Sequence, residues 1–152
     1  MQLDNMFLQA CKNNQKSVAQ TFLKRGGVDV NKRDESGNTP LIYACLKGAR
    51  DLVKILLDNG ADAGLGNQKN RTPLHFAAQS GNFQVMAMLL DAGADVNSTD
   101  NDGVTALMTL ALNGKTDAAL KLMEHVEIDT GIQDNKGRKA IDYAASAGLR
   151  GL

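Results

Sequence analysis

The side chains in this sequence best suited to chemistry are its two histidines and two cysteines, His75, His125, Cys11 and Cys45. His75 stands in RTPLHFAAQSG, Arg71 to Gly81, between a proline-led turn and a run of small apolar residues. Paired with Ser80 and a carboxylate such as Asp142 it would serve as the base of a nucleophilic triad. Together the four histidine and cysteine side chains would make the donor set of a tetrahedral zinc site.

Neither chemistry has the spacing it needs. Ser80, Asp142 and the other candidates show no triad-like grouping, and the cysteines lack metal-ligand spacing and are too few for a secreted disulfide scaffold. A reducing, cytoplasmic setting is the expectation, with nuclear and secreted-effector locations left open. No catalytic residue, cofactor or metal ligand is assigned, so attention moves to the elements that position these groups.

Composition bounds those elements. A chain of 152 residues with 43% hydrophobic content suits one domain. Aromatics are 4% and Trp is absent, so Ala, Leu, Val, Ile and Met must fill the interior, which closely packed helices allow. The 17 basic and 17 acidic residues cancel, leaving no global field to gather nucleic acid or an anionic membrane. MQLDNMFLQACKNN has no basic segment leading into an apolar core, and no window approaches the roughly 20 apolar residues that span a bilayer.

Internal repetition decides the architecture. Lines begun at Asp34, Asn67, Asp100 and Asp134 align in steps of 33, 33 and 34 residues. Gly37, Gly103 and Gly137 share a column that Asn70 completes; Thr39, Thr72 and Thr105 share the next but one. Leu41, Leu74, Leu107 and Ile141 follow, then Ala44-Cys45, Ala77-Ala78, Leu110-Ala111 and Ala144-Ala145. Gly48, Gly81, Gly114 and Gly148 close the element. Ala10-Cys11 extends the pattern to the start, giving repeats of about 1–33, 34–66, 67–99, 100–133 and a partial 134–152 in a single domain, 1–152.

Each line predicts a helix pair. Thr72 is an N-cap, Pro73 has the φ of a first helical position, and Gly81 closes the first helix. Phe83, Val85, Met86, Leu89 and Leu90 form the apolar stripe of a second, ended by Gly93. GADVNSTDND then turns into the next line. Such short pairs must stack to bury their apolar faces, the small pairs admitting close inner helices and Leu56-Leu57, Leu89-Leu90 and Leu122-Met123 filling the space beneath the outer ones.

RTPLHFAAQSG followed by LLDAGADVN resembles the ankyrin repeat, whose signature joins G-x-TPLH-x-A to a helix-ending GADVN. The resemblance covers all five lines and is most specific in the second and third. It implies an all-α solenoid of stacked helix-turn-helix pairs with projecting β-turn or hairpin loops. It also implies that His75 is structural, hydrogen-bonded to the threonine and to neighbouring turn backbone. TPLH is complete only in repeat three: Ile42, Met108 and Asp142 take the histidine place, and Ala106 and Ala140 replace Pro. The fourth repeat also lacks the terminal GADVN. Stability is therefore expected to be lowest towards the carboxyl end, each lost Pro or cap costing on the order of 0.5 to 2 kcal/mol.

On this frame His125 falls near an outer-helix end, where a cation suits the helix dipole. Cys11 and Cys45 fall in adjacent repeats, with helices about 8 to 10 Å apart, beyond the roughly 7 Å a disulfide spans. They read as small apolar fillers.

Function moves to the surface. A concave face of inner helices and turn tips suits a protein partner in a scaffold or adaptor role, and the positions that differ between lines are the candidates. At the tips these are Glu35, Ser36 and Asn38, then Gln68, Lys69 and Arg71, then Asn101, Asp102 and Val104, then Asn135, Lys136 and Arg138. Lys47, Gln79 and Asn113 lie on the inner helices. Tyr43, Phe76 and Tyr143 share one column, read either as interface anchors or as packing between inner helices.

Residues 1–33 carry six basic against two acidic residues, a net +4, and residues 100–133 carry two against six, a net −4. This axial polarity permits head-to-tail association, a solvated surface being the plainer reading. A monomer is expected if Leu149 and Leu152 fold back as a cap. The alternative function is a structural or regulatory segment of a longer array, stacking through an open carboxyl-terminal flank.

Overall fold

The computed structural model describes residues 2–146. Gly148, Leu149 and Leu152, named above as a helix end and a fold-back cap, lie outside the described residues. Four helix pairs run along the chain: α1 (Gln2–Lys12) with α2 (Lys16–Arg25), α3 (Pro40–Leu46) with α4 (Arg50–Asp58), α5 (Pro73–Ser80) with α6 (Phe83–Asp91), and α7 (Ala106–Leu112) with α8 (Thr116–Met123). A further inner helix, α9 (Ala140–Ser146), opens the fifth line.

The odd-numbered helices stack in sequence order as one layer and the even-numbered helices α2 to α8 as a second. The inner layer is the more closely packed, because its contacts run through small side chains: Ala10, Cys11, Ala44, Cys45, Ala77, Ala78 and Ala111 are all buried. Inner helices drawn together beneath outer helices held apart curve the stack, with the concave side on the inner layer and turn tips. Leu52, Leu56, Val85, Met86, Leu89 and Leu122 fill the space under the outer helices.

Every inner helix except α1 is preceded by the same turn. In the first residue of each line, Oδ1 accepts the N–H groups two and four residues on: Ser36 and Asn38 at Asp34 (3.0 and 2.9 Å), Lys69 and Arg71 at Asn67 (2.9 and 3.1 Å). Asp100 does the same for Asp102 and Val104, and Asp134 for Lys136 and Arg138, at 2.9 Å throughout. The turn needs a left-handed residue at its fourth place, and Gly37, Gly103 and Gly137 have φ of 80°, 77° and 76° there. Asn70 completes the column at φ 58°, in keeping with the tolerance of Asn for this region.

Thr39 and Thr105 cap α3 and α7, their hydroxyls accepting from Ile42 N and Met108 N at 3.2 Å. Among the described inner helices the loss of the threonine cap is thus confined to the fifth line, because Thr105 keeps its cap although Ala106 replaces Pro. At α9 the place of Thr is taken by Lys139, whose N–H instead finds the Asp142 carboxylate at 2.8 Å.

Candidate interaction surface

His75 belongs to the framework. Thr72 and His75 close a reciprocal capping box at the start of α5. Thr72 N–H donates to Nδ1 at 3.1 Å, and the Thr72 hydroxyl lies 2.9 Å from the same nitrogen. Nε2 is 2.7 Å from the Val104 carbonyl oxygen of the next turn. A carbonyl only accepts, so Nε2 carries the proton and Nδ1 is left to accept from Thr72: the neutral Nε2–H tautomer satisfies every contact. Burial holds the His75 pKa below its ordinary value against the opposing pull of the Val104 bond, and a second proton on Nδ1 would face the Thr72 N–H. The ring therefore joins repeat three to repeat four.

Cys11 and Cys45 are buried free thiols; burial pushes Cys11 up to about 12 and raises Cys45 as well. Among the described residues no three His, Cys, Asp or Glu side chains converge as a metal site would require, and no helix is long and apolar enough to cross a membrane.

The tips are tied to one another more tightly than the sequence pattern indicates. Backbone bonds run from Gln68 N to Ser36 O (3.1 Å), Asn101 N to Lys69 O (2.9 Å) and Asn135 N to Asp102 O (2.9 Å). Side-chain amides add a parallel ladder: Gln68 Nε2 donates to Glu35 O at 2.6 Å, Asn101 Nδ2 to Gln68 O at 3.4 Å and Asn135 Nδ2 to Asn101 O at 2.8 Å. Asn67 Nδ2 donates to Asn38 Oδ1 at 2.9 Å, and Asn70 Nδ2 to Asn101 Oδ1 at 2.7 Å. Asn38, Gln68, Asn101 and Asn135 thus hold neighbouring turns in register. Val104 contributes its carbonyl to His75. Glu35, Ser36, Lys69, Asp102 and Lys136 project from the tips as exposed side chains, and Lys47, Gln79 and Asn113 are exposed on the inner-helix side.

The aromatic column forms the floor of this face. Phe76 and Tyr143 are only 9% and 8% exposed, and Thr109, which interrupts the column, is buried too; Tyr43 is half-buried. The Tyr43 hydroxyl donates to Asp34 and that of Tyr143 to Asp134, nine residues back in each case. Burial, then the carboxylate bond, raises both tyrosine pKa values, while the Tyr143 hydroxyl is the main cause holding Asp134 below the usual carboxylate range. A cation covers each ring: Lys12 Nζ is 5.3 Å from the Tyr43 centroid, and the guanidinium carbons of Arg71 and Arg138 are each 4.8 Å from Phe76 and Tyr143. Arg138 also donates from Nε to Asp134 at 3.1 Å.

Two grooves open along the face. One of about 680 Å³ lies between α1 and the first tip, lined by Gln9, Lys12, Lys32, Glu35 and Tyr43 among others. The other, of about 310 Å³, lies between the first two tips, over Asn38, Lys69, Arg71 and Phe76. Ser36 lines both.

A second set of turns sits after the outer helices. Asp29, Asp62, Asp95 and Asp129 each accept, at Oδ1, the N–H two residues on. Asn31 Oδ1 accepts from Asp62 N and Asn97 Oδ1 from Asp129 N, both at 2.8 Å, stapling repeat one to two and three to four. Gly64 holds the equivalent place at the junction of repeats two and three, where no side chain can make that bond.

Comparison with known proteins gives the same answer. Residues 7–100 match the family described as ankyrin repeats (3 copies), and residues 89–144 that described as ankyrin repeats (many copies). An ankyrin and IPT/TIG repeat-containing protein of Schizosaccharomyces pombe is 56% identical over 45 residues, which cover 30% of this chain and 4% of that protein. With its helix pairs stacked in register and family matches along most of its length, the chain belongs to the ankyrin-repeat family.

Proposed function

We propose that this protein is an interaction module that binds a protein partner through its concave face, the tips and inner helices acting together and without catalysis. The observation that carries the reading is the division of labour along that face. Framework side chains close the turns and bond neighbouring tips, which fixes the backbone, while Glu35, Ser36, Lys69, Asp102, Lys136, Lys47, Gln79 and Asn113 stand exposed on it with side chains that vary from line to line. A rigid platform carrying varied exposed groups loses little entropy on docking, which favours a stable complex. Ankyrin repeats are generally protein-interaction modules, in keeping with this.

The test is site-specific photo-crosslinking. A benzophenone side chain placed at Ser36 or Gln79 is expected to capture a partner, whereas the same group at Lys24 or Lys121 on the outer helices captures none. Capture from the outer positions alone would remove the concave face from the mechanism.

A further inference from the structure

The net charge is zero, yet cations gather on one part of the concave face. Lys12 and Lys32 line the larger groove, and Lys69 and Arg71 the smaller one. Lys47 is one helical turn beyond Tyr43 on α3 and so shares its face. Among the described residues, no carboxylate lies within 4.0 Å of Lys12, Lys32, Lys47 or Lys69. The acids nearby are Asp34, which is bonded to Tyr43 and to its own turn, Glu35, and Asp100, which is bonded to its own turn and lies at ion-pair distance from Arg71.

Arg71 is incompletely satisfied. Its Nε is buried with no hydrogen-bond partner; the nearest carboxylate oxygen, on Asp100, is 3.9 Å away, and Nη2 reaches Gln79 Oε1 only at 3.5 Å. The guanidinium lies over Phe76 and the partly exposed side chain lines the smaller groove, where its terminal nitrogens can donate to a carboxylate.

We propose that the groove over repeats one to three binds an extended acidic segment of a protein partner, its carboxylates seated on Lys12, Lys32, Lys47, Lys69 and Arg71. This rests on the concave-face reading above and names the chemistry of the partner. Three inner helices at about 10 Å spacing span about 20 Å, or about six extended residues, and the pleat turns alternate side chains of such a segment toward the cationic face. A protein segment is favoured over a nucleic acid because the rest of the surface carries the compensating excess of carboxylates, which repels a long phosphate backbone.

The experiment is fluorescence anisotropy with labelled dodecamers of alternating Glu and Ser, Gln and Ser, or Lys and Ser, and a thymidine oligonucleotide of equal length. The Glu dodecamer is expected to bind at low salt, to weaken as salt rises, and to outcompete the other three. Lys12→Gln, Lys47→Gln and Lys69→Gln should each weaken it about 2- to 5-fold, and together about tenfold or more. Lys24→Gln with Lys121→Gln on the outer helices should leave it unchanged, and Lys47→Glu with Lys69→Glu should remove the preference for the Glu over the Lys dodecamer. No binding of the Glu dodecamer at low salt, tighter binding of the oligonucleotide or the Lys dodecamer, or an equal loss from the outer-helix pair would overturn the proposal. Cross-links from Ser36 to partner segments that are not acidic would overturn it while leaving the concave-face reading intact.

Discussion

Replacing His75 by Leu isolates what the ring contributes, because Ile42 and Met108 show that the same place accepts a branched or linear apolar side chain. In the variant, Thr72 N–H loses its acceptor and the Val104 carbonyl its donor, 3.1 and 2.7 Å away in the native protein. A buried group left without a partner costs about 1 to 3 kcal/mol. Thr72 is 8% exposed and bears the full penalty, whereas Val104 is partly open to water, so the expected loss is about 2 to 4 kcal/mol. For a chain of this size that lowers the melting temperature by roughly 5 to 15 °C. Urea unfolding followed by circular dichroism measures it. The pH dependence is a second reading. Because the folded-state pKa lies below the unfolded value, the unfolded chain takes up the proton first as pH falls below about 6.5. The native protein therefore loses this share of its stability on acidification, and the gap to His75→Leu narrows between pH 7.5 and 5. A cost under about 1 kcal/mol, or a gap that stays constant or widens with acid, would show that the ring only fills space.

Three further outcomes are expected. Gly64→Asn supplies the missing staple to Asp95 N–H at the junction of repeats two and three; a Cβ there meets nothing closer than 3.6 Å, and thermal unfolding should show a gain of about 1 kcal/mol. Gly103→Ala forces a side chain into φ 77° with its Cβ 2.9 Å from Asn135 N, so urea titration should show a loss of at least about 1 to 2 kcal/mol. Cys11 should react with a thiol reagent at pH 8 more slowly than an unfolded control by a factor on the order of a thousand, since burial raises its pKa to about 12; rapid labelling of the folded protein would contradict its placement in the core.

The repeat register, the helix pairs and the structural part played by His75 were legible because each follows from residue types at fixed spacing within a line. The lateral bonds were not. Asn38, Gln68, Asn101 and Asn135 differ or repeat between lines as a docking residue would, and only the approach of neighbouring tips shows their amides bridging from turn to turn. The opening Asp or Asn of each line marked the column, but its double acceptance of backbone N–H groups depends on the turn conformation. Likewise the tyrosines read equally as anchors or packing until their hydroxyls were seen to meet carboxylates nine residues back. Asn14, at φ 54°, takes in the first repeat the place of Gly48, a substitution the glycine column alone did not reveal.

Hydrogen exchange of the protein alone and with its cross-linked partner addresses the central claim most directly. Slower exchange in the tips at 34–38, 67–71 and 100–104, with α4 and α6 unchanged, is the predicted result. Protection confined to the outer helices, with the tips exchanging as they do in the free protein, would contradict it.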